Sequence, residues 1–148
     1  MRNIAAIACS SVAASLALFF VHKPIADLLP QWVSEHMAGA PEIRRPPYGL
    51  EVVLPATLSS VEYGLGLGFT YHLLAKALPT WSPIARAVVL LLLTLALMGN
   101  LVRFPLMQLV VGNPAGVTLV QHAALWLPYL VGSLVVALAY ELVRRHVA

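Results

Sequence analysis

Residues 87–112 read AVVLLLLTLALMGNLVRFPLMQLVVG, and the only charged residue in this apolar run is Arg103. About 20 consecutive apolar residues are needed for a helix to cross the ~30 Å hydrocarbon core of a membrane. An ionised side chain near the bilayer centre costs roughly 2.5–3.5 kcal/mol on insertion scales, so it normally faces protein or water. The stretch therefore predicts a membrane helix whose arginine needs a partner.

Three other segments are also long and apolar enough to cross a membrane. The four predicted spans cover approximately residues 4–21, 52–78, 84–111 and 118–143. The chain of 148 residues is 60% hydrophobic and 10% charged, whereas an average soluble domain is about 25% charged. The first span is predicted to be retained, because no small-residue cleavage site follows it. The sequence thus predicts an all-α integral membrane protein, a four-transmembrane-helix bundle that forms a single membrane domain over residues 1–148.

The longest connection joins the first two spans. Its apolar residues recur at roughly helical spacing over approximately residues 25–37, with polar residues on another face. This pattern predicts a short helix in the outer membrane interface. Pro30 would bend or interrupt such a helix, so two short turns are the alternative. The proline-rich stretch 40–47 predicts an exposed turn.

The distribution of basic residues predicts the orientation. With four spans, both termini and the loop near Thr80 share one side. That side carries Arg2, Lys76, Arg86, Arg144 and Arg145, and the other carries Lys23, Arg44 and Arg45. The positive-inside rule then places both termini in the cytoplasm. The predicted location is a cell membrane, namely the inner membrane of a bacterium.

Composition also argues against several function classes. The net charge is only +3 and the basic residues are scattered, so no nucleic-acid surface is predicted. The single cysteine, Cys9, cannot form an internal disulfide or a redox pair, and we expect it to pack as a small residue. His72 and His122 fall near opposite ends of their spans, which argues against haem held by two histidines. No metal site and no cofactor are predicted.

One face of the second span consists of small residues. Ala56, Ser60, Gly64 and Gly68 repeat every four residues. Membrane helices associate through close packing, because lipid provides no hydrophobic drive between them. The stripe therefore predicts a close helix–helix contact. The first span is also rich in small residues, so we expect a homo-oligomer or a membrane partner chain in the lipid bilayer.

The best candidate partner for Arg103 is Glu62, the only acidic residue deep within a predicted span. Glu62 precedes Trp81 by 19 residues and Asn100 follows it by 19, so an antiparallel hairpin would place both at similar depth. Arg103 is one turn further, about 4.5 Å along the axis. Glu62, Asn100 and Arg103 are therefore predicted to form a buried polar cluster.

Two aromatic residues of the fourth span are predicted to form a wall of this cluster. Counting from the turn near Pro114 places Trp126 opposite Arg103 and Tyr129 opposite Asn100. Proline residues interrupt the hydrogen bonding of the third and fourth spans at a similar level, and broken helices at membrane depth often line cavities. The convergence favours a ligand site, although plain kinks give the same pattern.

Two functional hypotheses follow from these residues. The first is a small permease or ligand-binding membrane protein whose unknown small-molecule ligand occupies the polar cluster. The alternative is a non-catalytic membrane subunit or assembly factor, in which the ion pair only sets helix register. The sequence favours a non-enzymatic role, because no aspartate lies inside a span and no serine nucleophile motif is present. A membrane enzyme acting on lipid is a third, less favoured hypothesis.

Overall fold

The computed structural model describes residues 2–37 and 49–146, of which 88% are helical and none is in a strand. The helices in this part of the chain are α1 (Arg2–His36), α2 (Leu50–Ala77), α3 (Pro83–Leu97), α4 (Arg103–Val110) and α5 (Ala115–His146). Three of them, α1, α2 and α5, are long and apolar enough to cross a membrane, and α3 is a shorter apolar helix. The turn predicted at 40–47 lies outside the described residues.

The first helix is longer than the sequence predicted. Residues 25–36, expected as a separate interfacial helix, continue α1 without a break through Pro24 and Pro30. Each proline removes one helical hydrogen-bond donor. Contacts four residues apart support the helix on both sides: the Lys23–Asp27 ion pair at 3.2 Å and the Gln31–Glu35 hydrogen bond at 3.0 Å. Such pairs stabilise a helix by roughly 0.2–0.5 kcal/mol each, which offsets only part of the cost of about 3 kcal/mol for a proline inside a helix.

The predicted third span is divided into two helices. α3 ends at Leu97, and Gly99 has a φ of 72°, the left-handed conformation that commonly ends a helix. The N–H of Asn100 then bonds back to the Leu95 carbonyl at 2.9 Å. Pro105 opposes an unbroken helix, because its ring clashes with the carbonyl four residues earlier. The stretch 84–111 is therefore two helices with a break at residues 98–102, and its crossing of a membrane as one span stays a prediction.

The helices run in alternating directions along the bundle. Gly64 of α2 lies against Ser11 and Ser15 of α1, and Gly68 lies against Ile7 and Ser11, so α1 and α2 are antiparallel. Ring contacts pair Tyr63 with Tyr129 and Tyr71 with Tyr140, so α2 and α5 are parallel. The segment from α3 to α4 must therefore return along the length of the bundle to reach the start of α5.

The core lies where α1, α2, α3 and α5 meet. It includes the fully buried side chains of Tyr71, Leu90, Val136 and Tyr140. The sequence begins α3 at this core with local signals: Ser82 caps the helix by accepting a hydrogen bond from the Ala85 N–H at 3.2 Å, and Pro83 occupies the first turn. These signals place the first turn of α3 beside the end of α5.

Candidate functional site

The central pair of the predicted polar cluster is not in contact. Glu62 lies near the middle of α2 with an exposed side chain, and Arg103 is exposed at the start of α4. Within residues 2–37 and 49–146, no ion pair joins these two side chains. The Cζ atom of Arg103 lies 5.8 Å from the centroid of the Phe104 ring. The functional role assigned to Glu62 and Arg103 stays a prediction.

The other members of the cluster occupy two different places. The Trp126 indole N–H donates to the Asn100 backbone carbonyl at 3.0 Å, across the break that follows α3. Tyr129 lies one turn further along α5 and contacts Tyr63 edge to face, with ring centroids 5.7 Å apart. The structure therefore brings Trp126 to Asn100 and Tyr129 to α2, but it does not bring either to Arg103 through a described hydrogen bond or ring contact.

The small-residue stripe of α2 is divided between two surroundings. A Cβ atom added at Gly64 would lie 2.7 Å from the Ser11 carbonyl oxygen, and one at Gly68 would lie 3.2 Å from the Ile7 carbonyl oxygen. These two glycines therefore permit close approach of the α1 backbone. The other two members, Ala56 and Ser60, line a cleft instead.

Glu62 points away from the bundle because the opposite side of α2 is packed. Two residues are about 200° apart around a helix, so Glu62 lies nearly opposite Gly64 and the α1 contact. The sequence predicted a second protein contact on this side, whereas the structure leaves it exposed. We call this side the outer face of α2, defined by Leu58, Glu62, Leu65, Phe69 and Leu73, all exposed.

A cleft of about 540 Å³ opens between α1, α2 and α5. Its walls are largely apolar and include Leu18, Phe19 and Val52. Tyr63 and Tyr129 lie along it, and polar residues continue on α1 as His22, Lys23 and Asp27. Pro128, also in the wall, cannot donate a helical hydrogen bond, so α5 lacks one backbone hydrogen bond beside the cleft although the helix stays continuous. We call this part of the bundle the open end.

Several buried polar atoms near the open end lack a hydrogen-bond partner among the described residues. They include both ring nitrogens of His122 and the hydroxyl of Thr118, whose residues are each 3% exposed. His122 precedes Tyr129 by seven residues, about two turns, so both lie on one face of α5. Buried polar groups in proteins are usually hydrogen-bonded. This part of α5 therefore contains buried polar atoms whose hydrogen bonds are not provided by the described residues.

The opposite end of the bundle holds a polar cluster that the sequence analysis did not predict. The Arg86 Nη1 atom donates to Glu141 Oε1 at 2.8 Å, and both side chains are largely buried. The Arg86 Nε and Nη2 atoms donate to the Trp81 carbonyl at 3.1 and 2.9 Å. The Tyr71 hydroxyl donates to the same Glu141 oxygen at 3.3 Å. One ion pair thus joins α2, α3 and α5.

Aromatic side chains complete this cluster. The Tyr71 and Tyr140 rings are 5.3 Å apart, and the Arg86 Cζ atom lies 5.8 Å from the Tyr71 ring centroid. The Tyr140 hydroxyl bonds with the Nδ1 atom of His72 at 2.5 Å. We call this part of the bundle the closed end; it comprises Tyr71, His72, Trp81, Arg86, Tyr140 and Glu141.

The sequence contains a signal for the closed end, although Arg86 was assigned only to the charge balance of its loop. Arg86 lies three residues after the start of α3, and Glu141 lies five residues before the end of α5. In an alternating bundle these two positions fall at the same end, inside helices rather than in loops. Counting residues from the turns identified side chains of similar depth near the middles of the spans. The same counting near the ends of the spans would have found the Arg86–Glu141 pair.

Comparisons with models of protein families, with curated proteins and with solved structures find no match to this chain. Among the described residues there is also no group of three His, Cys, Asp or Glu side chains placed to hold a metal ion. The function is therefore argued from the cleft and the two ends of the bundle.

Proposed function

We propose that this chain is a multi-pass membrane protein that binds an amphiphilic small molecule in the cleft between α1, α2 and α5. The observation that carries the proposal is the cleft itself, with about 540 Å³ of space and largely apolar walls. Ligand sites typically enclose 300–1,000 Å³ and combine apolar walls with a few polar groups. The cleft has both properties.

The polar residues of the cleft favour a ligand with a small polar head and an apolar body. Lys23 and Asp27 form an ion pair at 3.2 Å beside the cleft and offer both signs of charge to a zwitterionic head. Leu18 and Phe19 lie about one turn earlier on the same helix and would contact the apolar body of the ligand.

We propose that α3 and α4 together complete a fourth crossing of a bacterial inner membrane. The 15 residues of α3 extend only about 22 Å, less than the ~30 Å hydrocarbon core, so α3 alone is too short. The parallel arrangement of α2 and α5 supports a returning segment between them. The closed end carries Lys76, Arg86, Arg144 and Arg145, so the positive-inside rule supports a cytoplasmic closed end with both termini.

Ligand binding is supported more directly than passage through the protein. A permease would have to open the closed end, where the Arg86 donors are bonded to Glu141 and to the Trp81 carbonyl. The alternative role as a non-catalytic subunit was inferred from small-residue faces. Gly64 and Gly68 contact α1 within the chain, so they provide no separate support for a partner protein.

Filling the cleft tests the proposal. Ala56→Trp places an indole between α1 and α2, and we expect it to weaken binding of a fluorescent lysophosphatidylcholine in nanodiscs by at least about tenfold, because the ligand and the indole require the same space. The matched control is Leu138→Trp, at an exposed position of α5 away from the cleft. Equal affinity in wild type, Ala56→Trp and Leu138→Trp, or no saturable binding by the wild type, would contradict the proposal.

A further inference from the structure

We propose that the outer face of α2 binds a second copy of this chain, with Glu62 of each copy paired to Arg103 of the other. The proposal does not depend on the cleft or its ligand. It starts from a charged residue that the structure leaves on the surface of a helix long and apolar enough to cross a membrane.

Glu62 occupies an unfavourable position for a single chain in a bilayer. It is the 13th of the 28 residues of α2, near the middle of the helix. The residues that surround it on the outer face are the exposed apolar side chains of Leu58, Leu65 and Phe69. Ionisable side chains within membrane helices almost always face protein or a water-filled cavity and pair with one another. The outer face of α2 therefore needs a protein contact that the described part of the chain does not provide.

The complementary charge is present on the same chain. Arg103 is exposed, has the opposite sign and lies at the start of α4 within an apolar stretch. Its described contact is with the ring of Phe104, and no ion pair joins it to a carboxylate among the described residues. One exposed acid and one exposed base in a single chain make its surface complementary to a second copy.

The two side chains lie at compatible levels along the bundle. Tyr63, next to Glu62, contacts Tyr129, and Trp126 lies one turn before Tyr129, about 5 Å along α5. Trp126 bonds to Asn100, and Arg103 follows three residues later with a long side chain that is able to extend along the helices. A two-fold axis parallel to the bundle preserves these levels in the second copy.

A two-fold arrangement satisfies both charges of both copies. In such an interface the same surface of each chain is used, so residue i contacts residue j and j contacts i. Two Glu62–Arg103 pairs then form, and the apolar residues of the outer face pack between them. A partner of another sequence would have to carry both a base for Glu62 and an acid for Arg103, whereas a second copy of this chain already carries both.

Crosslinking between differently tagged chains tests the contact directly. In a Cys9→Ala background, one chain carries Glu62→Cys and the other carries Arg103→Cys, and both are expressed together in the membrane. We expect oxidation to yield a disulfide-linked species that contains both tags. The matched control replaces Arg103→Cys with Arg145→Cys, an exposed position at the far end of α5, and should give less than one tenth of the product.

Exchanging the charges tests whether the pair stabilises the dimer. Single-molecule photobleaching in liposomes should show two-step traces for the wild type. Glu62→Arg and Arg103→Glu should each raise the dimer dissociation constant at least tenfold, because like charges then face each other. The double variant Glu62→Arg/Arg103→Glu should restore dimers to within about threefold of wild type, which a misfolded chain would not do.

Three results would overturn the proposal. The first is that the wild-type protein remains monomeric in liposomes at a high protein-to-lipid ratio. This result counts against the proposal even where a cysteine in place of Glu62 crosslinks to a different protein. Another is a dimer whose stability is unchanged by both charge reversals. The third is an effect of Arg103→Glu that appears only with anionic lipid and leaves the dimer fraction unchanged, because Arg103 would then bind a lipid phosphate.

Discussion

The two ends of the bundle differ in how their polar groups are satisfied. At the closed end, Arg86 donates three hydrogen bonds, and Glu141 accepts from both Arg86 and Tyr71. At the open end, the polar atoms of His122 and Thr118 are buried without a partner among the described residues, and a cleft separates α1, α2 and α5. α2 and α5 are thus joined to each other and to α3 by polar contacts at one end, whereas a cleft separates them from each other and from α1 at the other.

This difference indicates a division between stability and binding. A buried ion pair with its hydrogen bonds complete holds helices in one arrangement, and removal of one partner is costly. Buried polar atoms that the chain does not satisfy are unfavourable unless something else bonds to them. We therefore assign architecture to the closed end and ligand binding to the open end.

The largest expected effect is the difference in accessibility between the two ends. In a Cys9→Ala background, Ala115→Cys at the open end should react with a membrane-impermeant maleimide in intact cells. Thr80→Cys, in the exposed turn beside the closed end, should react only after the membrane is permeabilised. Charge distribution is the physical reason, because the basic residues gather at the closed end. Reaction of both cysteines in intact cells, or the reverse pattern, would contradict the proposed orientation.

Loss of the closed-end ion pair should give the next largest effect. Arg86→Met leaves the Glu141 carboxylate partly buried without its ion partner, and we expect the free energy of unfolding to fall by about 3 kcal/mol. Unfolding by SDS in mixed micelles, followed by circular dichroism, measures the change. Arg145→Met removes an exposed charge four residues beyond Glu141 and should change stability by less than about 0.5 kcal/mol. If the two variants unfold alike, the closed end does not stabilise the bundle as described.

The contact between α1 and α2, which joins the two ends, should give a smaller effect. A methyl group at Gly64 would meet the Ser11 carbonyl and the Ser15 side chain, so Gly64→Ala should lower the free energy of unfolding by about 2 kcal/mol. Nothing lies within 4 Å of a Cβ atom at Gly66, two residues along the same helix. Gly66→Ala should therefore leave stability unchanged or raise it by up to about 1 kcal/mol, since alanine favours the helix. Equal losses in the two variants would show that helix bending, rather than close packing, limits this position.

Patterns within single segments predicted the helices well and their interruptions poorly. The apolar runs identify the three long helices, because hydrophobic length is a local property of the sequence. The break after Leu97 has local signals in Gly99 and Pro105, but Pro24 and Pro30 are similar signals that leave α1 continuous. The presence of a proline alone therefore does not separate a position where a helix ends from one that a continuous helix accommodates.

The candidate site shows the same limit in its side chains. Counting along hairpins placed Glu62 and Asn100 at comparable levels, and the contacts of Tyr63 and Trp126 support that comparison. Counting provides depth but not the direction in which a side chain points. The direction of Glu62 was decided when Gly64 packed against α1, because Glu62 lies on nearly the opposite side of α2.

The helical and apolar character of this chain, suited to a membrane, follows from its composition and from the length of its hydrophobic runs. Tertiary structure alone decided which charges meet. Arg86 pairs with Glu141 because the alternating helices bring the start of α3 to the end of α5. Glu62 and Arg103 stay exposed because their helices use other faces for packing. A charge finds its partner only through the rotation and direction of whole helices, and these are properties of the assembled bundle.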